Sequence, residues 1–190
     1  KRFAADIADK LRDRIYDIVV PNLAMGIVKA RDLGKPSKDD IALSYEMALM
    51  VLFRLLFIAY AEDRDLLPYK SNEAYRKRSL KQKAIELAEA ESMLTPISGG
   101  DHHWSETAQL WQAIYRGNIE WGVPAYDGTM FSDDAVVSKA GSALADLTLP
   151  NATFEQALRG LLLTDTEENQ FAPVDFRALS VREFGTIYEG

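Results

Sequence analysis

Four charges follow one another at Glu62-Asp63-Arg64-Asp65, and paired carboxylates are what a metal site or a general base requires. Two carboxylates hold a metal only with a third ligand and an open face, and the neighbouring residues mark neither. The simpler reading is a polar helix end, with Arg64 or a neighbouring charge tied to an adjacent loop. Arg54 lies upstream in an apolar run, and its helical neighbours Met50, Phe57 and Ile58 include no carboxylate. A guanidinium in such surroundings must be paired and hydrogen-bonded, so its partner is expected from another helix. Arg54, Glu62 and Arg64 are therefore expected as structural polar anchors rather than as ligand-binding groups.

Asp101-His102-His103 is the one histidine cluster. Adjacent histidines do not easily turn both rings toward one ion, and the helical zinc motif spaces them four apart. A surface loop is the expectation. No sequence neighbourhood marks a nucleophile, so no Ser-His-Asp set can be assembled. Residues 70–83, "KSNEAYRKRSLKQK", carry six cations against the single acid Glu73, a local charge of +5. A solvated helix face accounts for most such runs. Yet Tyr69 and Tyr75 interleave with the cations, and Ser71, Asn72 and Ser79 can donate to phosphate oxygens. Arg76, Lys77, Arg78, Lys81 and Lys83 are thus candidate contacts to a DNA backbone.

The elements that must position these groups are helical. Phe3, Ile7, Leu11, Ile15 and Ile18 form one stripe of an amphipathic helix that Pro21 should end, with a second short helix from Asn22 to Gly34. Ser37 and Asp40 form a capping-box signal for a long helix from 38 to about 67, roughly 45 Å at 1.5 Å per residue, which Pro68 terminates. A polar helix is expected around 73–93, another near 105–119, and one from Ser132 carrying Val136, Ala140, Leu144 and Leu147. After Pro150, Phe154, Ala157, Leu158, Leu161 and Leu162 follow the helical period, and Ser180 with Glu183 opens a last helix with Val181, Phe184 and Tyr188 on one side. Alternating patterns are nearly missing; one or two short strands could form in 121–131 and 171–177. The expected fold is all-α, one domain over 1–190, with about eight helices packed around the long buried helix.

Composition bounds the rest. The chain is 47% hydrophobic and 27% charged, and 22 basic against 29 acidic residues give a net charge of −7. Such a chain is not, taken whole, a binder of phosphate backbones. It has no cysteine, which excludes disulfides, zinc thiolates and cysteine nucleophiles and fits a reducing, cytoplasmic setting. Met47 to Ala61 is apolar or aromatic apart from Arg54. Fifteen residues cover about 22 Å of a hydrocarbon core ~30 Å thick, and a central arginine is costly there, so a core helix is expected and no membrane partner. The sequence holds no glycine-rich phosphate loop, no convincing Asp…Glu-x-Lys nuclease core and no Asn-Pro-Pro-Tyr. No catalytic, cofactor-binding or metal-binding residue is assigned. The chain begins without Met and stops at "REFGTIYEG" inside a growing helix, so both ends are expected to continue into a longer polypeptide.

Three stretches together, "LFRLLFIAYAEDRDLLPY" (52–69), "VPAYDGTMFS" (123–132) and "FRALSVREFGTIYEG" (176–190), resemble the helical connector region of type IIG-like restriction–modification DNA methyltransferases and the related methyltransferases of phage-exclusion systems. The resemblance implies an S-adenosylmethionine-dependent adenine-N6 methyltransferase following residue 190, with the "FGTIYEG" end leading into it. It also implies a target-recognition domain further on and, in some relatives, a nuclease domain upstream. DNA would be met through that parent enzyme, and S-adenosylmethionine would bind outside this segment. The family's catalytic residues match no position here. A stand-alone helical protein–protein interaction module is the alternative, and a small all-α enzyme with an unmarked site is a third possibility.

Overall fold

In the computed structural model, residues 2–166 and 170–189 are described, with the side chains of residues 2–6, 184, 188 and 189 left aside. Within them the chain is all-α apart from one small hairpin. The first rod is continuous: α1 (Arg2–Arg14), a π-helical turn (Ile15–Val19) and α2 (Val20–Ala30) run without a break. Pro21 was expected to end it and does not. A proline cannot donate to the preceding turn and clashes with its carbonyl, but the π turn redirects the bonds there. Val20 N–H reaches back to Ile15 O, and Pro21 sits in the first turn of α2. The wider turn also shifts the helix phase. Ile15, Val19, Val20 and Leu23 are buried, while Ile18, expected on the apolar stripe, is 55% exposed.

The central helix α3 (Lys38–Asp63) begins with a complete capping box: Ser37 Oγ accepts from Asp40 N, and Asp40 accepts from Ser37 N. It stops at Asp63 rather than near Leu67. Asp65 adopts φ +58, Leu66 N donates to Ala61 O at 2.9 Å, and Asp65 N to Glu62 O at 3.2 Å. That pair of bonds is a Schellman ending with aspartate in the left-handed position usually held by glycine. By length and mean hydropathy α3 could cross a membrane. Packing gives it a different role here, because its whole second half is enclosed by other elements of the chain.

The expected helix over 73–93 is two: α4 (Glu73–Arg76) and α5 (Leu80–Ser92). Asn72 and Ser79 each cap one, accepting from Tyr75 N and Gln82 N, and the chain turns between them. α6 (His102–Arg116) starts earlier than expected and stops at Gly117, which takes φ +80 beneath the backbone of Ala125. The segment from Ser132 is not helical until α7 (Lys139–Ala145). Ser132 Oγ and Asp134 Oδ1 accept from Asp134 N and Val136 N, so side chains hold a turn where a helix was expected, and Val136 is 94% exposed.

α8 (Asn151–Leu162) runs into β1 (Leu163–Asp165), which pairs antiparallel with β2 (Phe171–Pro173), Thr164 opposite Ala172. β1 lies outside both expected strand segments, and 121–131 contributes only an isolated bridge between Asn118 and Val123. α9 (Val181–Glu189) closes on α1, with Tyr16 Oη donating to Ile187 O at 2.7 Å. Of the face expected for α9, Val181 is 77% exposed, and the Phe184 and Tyr188 side chains lie outside the described residues, as does that of Phe3. One core runs through the described residues, with α3 touching α2, α5 and α7 and the aromatic trio Trp104, Trp111 and Phe154 packed edge to face.

Candidate functional site at the end of the central helix

Three charged residues of α3, Arg54, Glu62 and Asp63, are buried, and together with the exposed Arg64 at its cap they hold other segments of the chain. Arg54 is 4% exposed. Its partner is not a carboxylate on another helix, as expected, but backbone: Nε donates to Met130 O at 2.7 Å and Nη2 to Ser132 O at 3.2 Å. The short 3-10 turn Thr129–Phe131 turns these carbonyls toward it. Trp111 and Phe131 flank the guanidinium at 5.0 and 5.8 Å. Two carbonyls and two ring faces can hold a desolvated cation without a second buried charge. Burial lowers the Arg54 pKa to about 10, against the pull of Asp133.

Glu62 is 1% exposed and takes three donors: Tyr75 Oη at 2.7 Å, Leu80 N at 3.0 Å and Lys81 N at 2.8 Å. Leu80 and Lys81 are the first two residues of α5, and Ser79 Oγ takes the third N–H, from Gln82. A carboxylate from α3 thus completes the cap of α5, where a negative charge also meets the positive end of the helix dipole. Burial still pushes Glu62 up to about 7, with Asp63 adding to the rise and the three donors opposing it. Asp63 receives Lys81 Nζ and Phe176 N, each at 2.8 Å. Arg64 donates to Leu179 O at 2.7 Å and lies over the Tyr60 ring.

The basic segment is largely spent inside the molecule. Arg76 donates to the carbonyls of Tyr69 and Lys70. Lys81 pairs with Asp63, and Lys83, 8% exposed, with Glu106. Lys77 pairs on the surface with Glu73, and Arg78 reaches Gln109 Oε1 at 3.3 Å over the Trp121 ring. Of the five proposed DNA-backbone cations, Lys77 and Arg78 alone are exposed residues.

His102 and His103 are not in a surface loop; they form the first turn of α6. His103 Nδ1 lies 3.3 Å from Lys83 Nζ and Nε2 lies 3.2 Å from Glu155. An ammonium must donate to Nδ1 and a carboxylate must accept from Nε2, so the ring is neutral with its hydrogen on Nε2. Burial and the Lys83 charge push its pKa down to about 4. Glu155, 3% exposed, also accepts from Arg159, which pairs with Glu91, so with Glu106 on Lys83 six charged or polar groups from α5, α6 and α8 are joined. Sequence patterning could have shown this cluster. Leu80, Ala84 and Leu87 put position 83 on the apolar face of α5, and Phe154 and Leu158 do the same for position 155.

Chemically, these arrangements hold segments together. Among the described residues no three His, Asp or Glu side chains are placed to bind a metal ion. The cavity against Glu62, Asp63, Lys81 and Phe176 measures about 230 Å³, small for an organic ligand, and has no serine, threonine, cysteine or histidine in its wall. No family model, no curated protein and no solved structure matches the chain.

Proposed function

We propose that the chain is the helical connector domain of an S-adenosylmethionine-dependent DNA adenine methyltransferase of the restriction–modification or phage-defence kind, holding the methyltransferase at a fixed position relative to an upstream domain and DNA. One observation carries the reading. The three stretches that bear the resemblance, far apart in sequence, converge on the second half of α3. Arg54 binds the carbonyls of Met130 and Ser132, Tyr126 Oη donates to Leu66 O at 3.1 Å, Phe57 packs edge to face on Phe131, and Asp63 and Arg64 bind Phe176 N and Leu179 O. A shared sequence pattern is expected where residues depend on one another, and these do. The contact of α1 with α9 supports the same reading, since segments joined at the two ends would leave from one side of the domain. A rigid body of this kind transmits position, and a cytoplasmic location and a partner methyltransferase, with or without a nuclease, go with it.

On this reading the DNA contribution of the basic segment rests on Lys77 and Arg78. Reversing both to glutamate in the whole enzyme should lower the slope of log affinity against log salt by about 0.9 per lost phosphate contact, with specificity unchanged. Reversing Lys81 or Lys83 as well would break internal ion pairs and confuse the result. The reading frame tests the proposal itself: an Asn-Pro-Pro-Tyr loop within a few hundred residues beyond Gly190 supports it, and a stop codon soon after Gly190 sinks it. In that event a stand-alone interaction module becomes the better reading, favoured by the exposed apolar pair Leu66 and Tyr126.

A further inference from the structure

Beside Arg54 lies a cavity of about 430 Å³, within the range of small-molecule sites. Trp104, Trp111 and Leu147 form apolar wall, and Arg116 and Asp133 carry the charge on it besides Arg54. Two features of this wall are unfinished. Arg54 uses Nε and Nη2 on carbonyls, and its Nη1, which makes no hydrogen bond among the described residues, is not fully buried and remains free to bond a ligand. Trp111 is 3% exposed, and its indole N–H has no acceptor among the described residues. A buried donor without an acceptor costs about 1–3 kcal/mol. Both residues line the same cavity, Arg54 with a nitrogen still reachable and Trp111 with an N–H closed off behind its ring.

From this geometry we infer that the cavity is a binding site for a small carboxylate carrying an apolar body, its carboxylate on Arg54 Nη1 and its body against Trp104, Trp111 and Leu147. A carboxylate fits better than a phosphate dianion for two reasons. Arg54 has one nitrogen to give, and Asp133, already held by Arg116 at 2.8 Å and Gln112 at 3.2 Å, repels a second negative charge. A monoanion replaces the counter-ion that the buried guanidinium lacks, since its bonds within the chain go to neutral carbonyls. The Trp111 nitrogen is closed to water, so the ring must tilt for a ligand oxygen to reach it, which makes tryptophan fluorescence a direct readout. The site is independent of the connector reading.

The probes are benzoate, phenylacetate and 3-phenylpropionate, each against its neutral amide, titrated into the whole chain by fluorescence and calorimetry. At least one carboxylate should bind about tenfold or more tighter than its amide, a gap of about 1.4 kcal/mol. Ala145 is an exposed residue of the cavity wall, so Ala145→Trp should obstruct the cavity without disturbing the core. In that variant binding should vanish while the unfolding midpoint stays in place. Arg54→Lys, if folded, should bind the carboxylate no better than the amide. Equal affinities for acid and amide, no binding of any probe at millimolar concentration, or undiminished binding in a folded Ala145→Trp protein would each overturn the inference.

Discussion

Tyr75 gives its hydroxyl to Glu62 at 2.7 Å, in a place where neither side chain meets water. The bond favours the charged carboxylate, which burial disfavours, so the pair sets a pH dependence. The Glu62 pKa in the fold, about 7, lies above its ordinary 4.5. The folded state then holds a proton that the unfolded chain has released, and this contribution is complete below 4.5 and lost as pH rises through 7. Tyr75→Phe removes a donor to the anion and moves Glu62 further up. Its cost should therefore be larger at pH 8 than at pH 5, by about 1–2 kcal/mol in urea unfolding. Equal costs at the two pH values would show that the bond does not sense the charge.

His103 sets an opposite slope. Its folded pKa, about 4, lies below the ordinary 6.5, so the unfolded chain binds a proton first as pH falls. The contribution of neutral His103 is complete above 6.5 and lost as pH drops toward 4. Between 4.5 and 6.5 the two residues oppose one another. His103→Gln should expose the Glu62 slope, so that in this window the variant loses stability with rising pH more steeply than the parent chain. Thermal midpoints across that range are the check.

Arg54→Met should cost about 2–4 kcal/mol, because it leaves the Met130 and Ser132 carbonyls without their charged donor while no buried acid is stranded. Arg54→Lys should recover little. One ammonium does not reproduce the planar fork or its contact with the Trp111 ring. A loss below about 1 kcal/mol for Met, by denaturant midpoint at constant m, would contradict the role given to this side chain.

Two glycines should respond in opposite directions. A methyl group at Gly141 would run into the Ser132 carbonyl, itself an acceptor of Arg54, so Gly141→Ala should destabilise by about 1–3 kcal/mol. At Gly185, inside α9, no atom of the described residues lies within 4 Å of such a group, and Gly185→Ala should gain about 0.5–1 kcal/mol from helix propensity. Chemical denaturation of both variants gives the comparison.

The sequence shows helices well where the apolar period is undisturbed. α8 lies where the spacing places it, because one of its faces must be apolar to meet the core, and α3 starts where its capping box places it and is apolar nearly all round because other elements pack on most of its sides. It failed where side chains bond to nearby backbone. Ser79 splits one expected helix, and Ser132 with Asp134 prevents another from starting. At Pro21 the rule that a proline ends a helix gave way to a π turn, which period-3.6 reading does not anticipate. At the candidate site, the inward pull on Arg54 was legible from its apolar neighbours. Its partners were not, because carbonyls carry no residue type to read. Lys83 and Glu155 are legible, since each lies on an apolar stripe, although the basic run around Lys83 masks its inward position.

The first rod of the molecule has a consequence for synthesis. Arg14 donates to Leu163 O at 2.6 Å and Tyr16 to Ile187 O, so these two side chains find these acceptors 149 and 171 residues further along. At about 5–20 residues per second a ribosome takes roughly 10–30 s to make the intervening stretch. During that interval the inner face of the rod, Leu11, Ile15, Val19 and Leu23, has emerged without α8 and α9 to cover it. An emerging chain with such a face is one that a nascent-chain chaperone would hold, and emergence of α9 from the ribosome is the event that lets it go.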